Sequence, residues 1–142
     1  MSLIPDALHE PLTGNGHRHG QDFVPLLKLD LWVVNGQAIS WLISELDPQN
    51  PQRAYGLGSK WVGEVTEGYF DLAELEHAAE LFGLHIVPDE YFIPRHPLSV
   101  YRQAAREQGW LTDCVIHLHQ AKLNLLKCTL NFLAGRIWFC SA

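Results

Sequence analysis

Two apolar segments separated by Asn35-Gly36 constrain the fold of this chain more than any other feature. Residues 29–46 read LDLWVVNGQAISWLISEL, and an Asn-Gly pair tolerates the positive φ angles of a tight type I′ turn. Pro48 and Pro51 follow, and they end the second segment because proline has no N–H to donate to a sheet. These features predict a β-hairpin. Alternation in its second strand predicts three core-facing residues, namely Ile39, Trp41 and Ile43.

Short strands and a helix are predicted after the hairpin. Residues 53–57 and 60–65 have the composition of strands, and Gly58-Ser59 between them predicts a turn. A helix begins at Asp71, a residue type that caps helices, and Gly83 ends it. Its predicted buried stripe consists of Leu72, Leu75, Ala79 and Phe82.

A second helix is predicted between Pro97 and Gly109, after strands at residues 85–87 and 91–93. Strands come before helices here, without the βαβ alternation of parallel sheets. The expected fold class is therefore α+β, with an antiparallel sheet of about five to six short strands packed against two helices. A C-terminal extension with helical spacing follows.

Three regions divide the 142 residues. Residues 1–22 are rich in glycine and proline and are predicted to form a flexible arm. Residues 23–112 form a single α+β domain, and residues 113–142 form an apolar extension. The extension carries two apolar lines at seven-residue spacing, which are Ile116, Leu123, Leu130 and Ile137, and Leu118, Leu125, Phe132 and Phe139. Such a helix needs a partner, so the alternatives are oligomerisation through the extension and an extension without a role.

Negative charge is concentrated in the middle of the chain. Residues 45–90 hold ten carboxylates against Arg53 and Lys60, and this field repels the phosphate backbone of nucleic acids. We therefore expect no direct nucleic-acid binding and a protein partner with a basic surface. The alternative is a solvated face that keeps the protein in solution. The candidate partner-binding residues are Glu64, Glu67, Glu74, Glu80 and Trp61.

No arrangement of residues specifies a reaction, a cofactor or a metal site. Two His-x-His pairs, at 17–19 and 117–119, lack a carboxylate-rich companion motif, so no metal ligand is assigned. No cofactor-binding or catalytic residue is assigned either, and the leading interpretation is a non-catalytic protein-interaction module. The alternative is a small hydrolase that uses carboxylates with His85 or His96 for acid-base chemistry.

The N-terminal sequence, the lengths of the apolar stretches and the cysteines indicate where in the cell the protein is expected. The N-terminus has no basic segment followed by an apolar run, so we expect no signal peptide. No stretch reaches the ~18 uninterrupted apolar residues that a membrane span needs. Three cysteines without CxxC spacing predict no disulfide framework. Together these features predict a cytoplasmic protein without a membrane span.

Six sequence blocks resemble a known family. They are Pro25–Leu29, Trp41–Pro48, Ala54–Leu57, Glu67–Tyr69, Leu72–Leu75 and Pro97–Tyr101. In this order and spacing they resemble domain of unknown function 2958, a small family of bacterial plasmids, integrative elements and phages, over Pro25 to Gly109. The resemblance implies a protein of a mobile genetic element, with antirestriction or anti-CRISPR-like roles among those expected, and it transfers no reaction to any residue.

Overall fold

Five antiparallel strands form one open sheet in the order β4-β3-β2-β1-β5. A computed structural model of the chain describes residues 3–32, 38–61 and 64–135. The elements are α1 (Asp6–His17), β1 (Leu27–Trp32), β2 (Ala38–Asp47), β3 (Asn50–Trp61), β4 (Glu64–Asp71), α2 (Leu72–Leu81), β5 (Ile86–Pro88), α3 (Leu98–Gln108) and α4 (Val115–Leu133). The predicted α+β class and the helical C-terminal extension are confirmed, with more helices than expected.

The first hairpin has the predicted pairing. β1 and β2 pair up to Trp32 opposite Ala38, while the predicted Asn35-Gly36 turn lies outside the described residues. At the other end of β2, the Asp47 carboxylate accepts a hydrogen bond of 2.9 Å from the Gln49 backbone N–H. This contact turns the chain into β3 at the position where the prolines predicted an end to the strand.

Gly58-Ser59 lies inside β3 and is not a turn, so the prediction of two short strands there is wrong. A Cβ atom on Gly58 would collide with the rings of Trp41 and Phe70, and one on Gly56 would collide with the Leu42 carbonyl. Glycine occurs at these positions because groups of the neighbouring strands leave no space for a side chain, and not because the chain turns there. β3 and β4 pair up to Trp61 opposite Glu64, and residues 62–63 between them lie outside the described residues.

Both faces of the sheet are buried. Trp41 and Ile43 pack with α1 and α2, as predicted for the core-facing set. Leu42, which alternation placed on the solvent side, is buried on the opposite face beneath α3 and α4. Because alternate residues of a strand point to opposite faces, two hydrophobic layers sandwich the sheet.

Residues 1–22 do not form the predicted flexible arm. Residues 6–17 form α1, whose Leu12 is fully buried in the core of the first sheet face. Asn15 Nδ2 donates a hydrogen bond of 3.0 Å to the Ser44 carbonyl of β2. Two prolines and three glycines obscured the helix, although Leu8 and Leu12 lie one turn apart and both contact the core.

The two predicted helices have the expected ends. Asp71 caps α2 by accepting a 3.1 Å hydrogen bond from the Glu74 backbone N–H, and Gly109 ends α3 in the left-handed conformation, with φ of 85°. Phe82, predicted to be buried, is instead 81% exposed. Of the two strands predicted before α3, the first is present as Ile86–Pro88, which pairs with β1, and residues 91–93 form no strand.

Helix α4 packs on α3 through the second of its two apolar lines. Leu118 of this line and the neighbouring Ala121 are fully buried and Leu125 is partly buried, whereas Phe132 is exposed. Ile116 and Leu130 of the first line are exposed as well. Oligomerisation through this exposed line stays a prediction. Cys128 of α4 is disulfide-bonded, which the cysteine spacing did not predict. No helix among the described residues is long and apolar enough to cross a membrane.

Candidate functional site

The four carboxylates among the residues predicted to bind a partner do not form one surface. Glu64 and Glu67 lie three apart on β4, so they point to opposite faces of the sheet. Glu74 and Glu80 are both exposed on α2, but six residues place them on different flanks of the helix. Trp61 pairs with Glu64 in the sheet ladder, and its side chain lies outside the described part of the structure.

Glu67 is engaged in a hydrogen-bonded chain on the α3 side of the sheet. It accepts hydrogen bonds from Tyr55 Oη at 2.6 Å and from Arg102 Nε at 2.7 Å. Burial alone raises the pKa of the Glu67 carboxyl, but the hydrogen bonds from Arg102 and Tyr55 outweigh it and hold this pKa below its ordinary value. Burial and the Glu67 hydrogen bond raise the pKa of Tyr55 to about 12. Glu67 is therefore ionised and paired at neutral pH.

A second hydrogen-bonded contact lies beside this chain. His19 Nδ1 is 2.8 Å from Glu45 Oε1, and the Glu45 side chain is only 3% exposed. The His19 ring packs against Tyr55 and Tyr69, with centroid separations of 5.0 and 5.6 Å. The guanidinium of Arg53 covers Tyr69, 3.9 Å from the ring centroid. These contacts fix the position of the imidazole.

The connection between α1 and β1 brings His19 to this place. Phe23 accepts a 2.9 Å hydrogen bond from the Leu98 backbone N–H at the start of α3. Asp22 accepts hydrogen bonds from the Ser99 backbone N–H at 3.0 Å and from the Ser99 hydroxyl at 2.5 Å. The segment is thereby held against α3, and no local sequence pattern signals this contact.

Together these groups line a cavity of about 310 Å³, which we call the polar cleft. The groups that matter for its chemistry are His19, Asp22, Glu45, Tyr55, Glu67, Ser99 and Arg102. An adjoining cavity of about 430 Å³ shares the Glu67 and Arg102 walls and adds Arg106; we call it the arginine cavity. Of the polar cleft residues, sequence reasoning selected only Glu67, and for a different role.

A third cavity lies on the opposite face of the sheet, between α2 and the strands. Its volume is about 1130 Å³ and most of its lining is apolar; we call it the α2 groove. The side chains that form its walls include Trp41, Phe70, Leu75 and Phe82, and the carboxylates of Asp71 and Glu74 lie at its edge. This combination suits contact with a molecule that is both apolar and cationic.

The histidines selected from the sequence have no carboxylate partner among residues 3–32, 38–61 and 64–135. His85 is exposed just before β5. The ring centroids of His96 and Tyr101 are 6.5 Å apart. Burial lowers the pKa of His96, and the positive charge of Lys122 lowers it further. No group of three or more His, Cys, Asp or Glu side chains in those ranges is placed to hold a metal ion.

The family model with the description "Protein of unknown function (DUF2958)" matches residues 3–112. The chain belongs to this family. The DUF2958 match includes α1, so that helix is part of the family domain, whereas α4 follows it. Glu45, Tyr55, Glu67 and Ser99 of the polar cleft come from four different blocks that carried the DUF2958 resemblance. No curated protein and no solved structure matches the chain.

Proposed function

We propose that this DUF2958 protein is a protein-interaction module that binds a basic, amphipathic segment of a partner in the α2 groove. The observation that supports the proposal is the combination in one groove of an apolar lining and an acidic edge. Small-molecule and peptide sites are concave and mostly apolar, with a few polar groups that set orientation.

The apolar part of the groove lacks cover at its α2 side. Phe82 is 81% exposed and the adjacent Leu81 is 72% exposed. Complete burial of one such side chain contributes about 1.5–3 kcal/mol. Exposed aromatic residues next to a cavity are typical anchors of protein interfaces.

The acidic part of the groove favours a cationic partner. Asp71 and Glu74 line the groove, and Glu64 lies on the same face of β4 as Phe70, which is one of the lining residues. None of these three carboxylates forms an ion pair with a described Lys, Arg or His side chain. Lysine or arginine residues flanking an apolar core in the partner segment would complement them.

The family resemblance suggests where such a partner occurs. A protein of a plasmid, integrative element or phage meets host and defence proteins. In an antirestriction or anti-CRISPR-like role, the partner would be a restriction or CRISPR protein with a basic segment. This part of the proposal is based on the mobile genetic elements in which the family occurs.

The test compares two synthetic helical peptides with the same leucine pattern, one with lysine and one with glutamate at the polar positions. Fluorescence anisotropy is expected to show binding of the lysine peptide only, weakening as salt rises. Phe82→Ala and the double variant Glu64→Lys/Glu74→Lys should each weaken binding about tenfold or more. Glu80→Lys, on the other flank of α2, is the matched control and should retain affinity. Equal binding of both peptides, or equal loss in the control, would contradict the proposal.

A further inference from the structure

We propose that the polar cleft is a catalytic site in which His19, oriented by Glu45, acts as general base in the hydrolysis of carboxylic esters that bear an anionic group. This inference goes beyond the docking function, because the cleft lies on the opposite face of the sheet from the α2 groove. It also replaces His85 and His96, the histidines that the sequence favoured for acid-base chemistry, with a residue assigned to a flexible arm.

The contact between His19 and Glu45 determines which ring nitrogen is free. We assign the proton of the 2.8 Å contact to Nδ1 of His19, which then donates to the Glu45 carboxyl oxygen Oε1. In the neutral imidazole, Nε2 is then the basic nitrogen. A buried carboxylate that holds the imidazole is one arrangement that orients a general base.

The free nitrogen is accessible. The His19 side chain is 46% exposed and lines the polar cleft. Its only hydrogen-bond partner among the described residues is Glu45. The Tyr55 and Tyr69 rings pack against the imidazole, and within the described part of the chain no group forms a hydrogen bond with Nε2. A water molecule in the cleft is therefore the group that Nε2 can deprotonate.

The two arginines specify the charge of the substrate. Arg102 uses only Nε to bind Glu67, and its terminal nitrogens make no hydrogen bond to any described residue. Arg106 follows one helical turn later, without an ion pair in the described part of the chain, and lines the arginine cavity. Terminal guanidinium nitrogens bind carboxylates in a fork-like geometry. We therefore place the substrate's anionic group in the arginine cavity and its ester carbonyl in the polar cleft.

The reaction consumes only water. Nε2 of His19 takes a proton from water as the water oxygen bonds to the ester carbonyl carbon. The tetrahedral intermediate then breaks its bond between that carbon and the alcohol oxygen, and the imidazolium returns the proton to the departing alkoxide. The products are a carboxylic acid and an alcohol. Glu45 is a positioning residue, since it acts through His19.

The test measures hydrolysis of p-nitrophenyl hemisuccinate, which is anionic, and of p-nitrophenyl acetate, which is neutral, by the full-length protein. His19→Gln should lower kcat/KM for both esters about a hundredfold. His85→Gln is the matched control for background reaction with surface imidazole and should retain the rate. Arg106→Gln should raise KM for the hemisuccinate about tenfold and leave the acetate unchanged.

Further measurements separate catalysis from folding. Added imidazole should restore turnover to His19→Gly, which a structural role for His19 would not explain. Glu45→Gln should lower kcat with little change in KM, with near-ultraviolet circular dichroism confirming that the variant is folded. A His19→Gln rate equal to that of the unchanged protein, or an equal loss in His85→Gln, would overturn the inference. None of these outcomes affects the peptide-binding test of the α2 groove.

Discussion

At the scale of single residues, the environment of a side chain decides its chemistry more than its type does. The chain has four tyrosines, and the environments of Tyr55 and Tyr91 differ strongly. Tyr91 is 89% exposed, whereas Tyr55 donates a hydrogen bond to an ionised carboxylate. Lys28 is a second example, because Asp30, Asp113 and Asp89 surround it. Burial alone lowers the pKa of Lys28, but these carboxylates raise it above its ordinary value.

Tyr55 is expected to ionise at about pH 12, above the ordinary tyrosine pKa of 10.0, first because of burial and then because of Glu67. Folding raises this pKa, so the contribution of Tyr55 to stability is complete below pH 10 and is lost as the pH rises toward 12. Burial also raises the pKa of Tyr101, so absorbance titration at 295 nm should show a late step whose amplitude falls by one tyrosine in Tyr55→Phe. Glu67→Gln should lower the pKa of Tyr55, while Tyr91→Phe should leave the late step intact. A late step of unchanged amplitude in Tyr55→Phe would refute this assignment.

At the scale of secondary structure, signals within one element were reliable and signals between elements were not. The Asp71 cap and the Gly109 terminus involve groups within a few residues of each other, and both were predicted. Gly58 was misassigned because the rings that exclude a side chain there, those of Trp41 and Phe70, belong to other strands. Glycine marks turns and close approaches alike, and the chain sequence does not distinguish them.

Gly58 and Gly14 provide a matched pair for testing this reading. Gly58→Ala is expected to lower the free energy of unfolding by about 1–3 kcal/mol, because the new methyl group would displace two packed rings. Gly14→Ala, within α1 and with open space around the new Cβ, should raise it by about 0.5–1 kcal/mol. Urea denaturation measures both. If the two variants change the free energy of unfolding in the same direction, the close contact of Trp41 and Phe70 with Gly58 would be contradicted.

At the scale of the whole molecule, the N-terminal helix completes the domain. α1 covers the first sheet face, and the segment after it crosses to α3 through Asp22 and Phe23. One short region therefore packs in the first hydrophobic layer, forms hydrogen bonds with the start of α3 on the other side of the sheet, and supplies His19 to the polar cleft. The family match from residue 3 agrees with this role.

Leu12→Ala should consequently behave as a core substitution. The expected loss in the free energy of unfolding is about 2–5 kcal/mol, because Leu12 is fully buried among residues of the sheet and the helices. Leu81→Ala, at a 72% exposed position, is the control and should change stability by less than about 0.5 kcal/mol. Thermal unfolding followed by circular dichroism measures both. A flexible arm would make the two variants indistinguishable, and that result would restore the original expectation.

The sequence by itself determined the antiparallel α+β architecture, the ends of α2 and α3, and a helical extension at the C-terminus. These features follow from alternation, caps and breakers, which act between residues close in the chain. Only the tertiary structure decided that both sheet faces are buried, that α1 belongs to the domain, and that Glu67 and Glu74 lie on opposite sides. The polar cleft likewise required the fold, because His19, Glu45 and Arg102 come from distant segments whose proximity depends on packing rather than on local pattern.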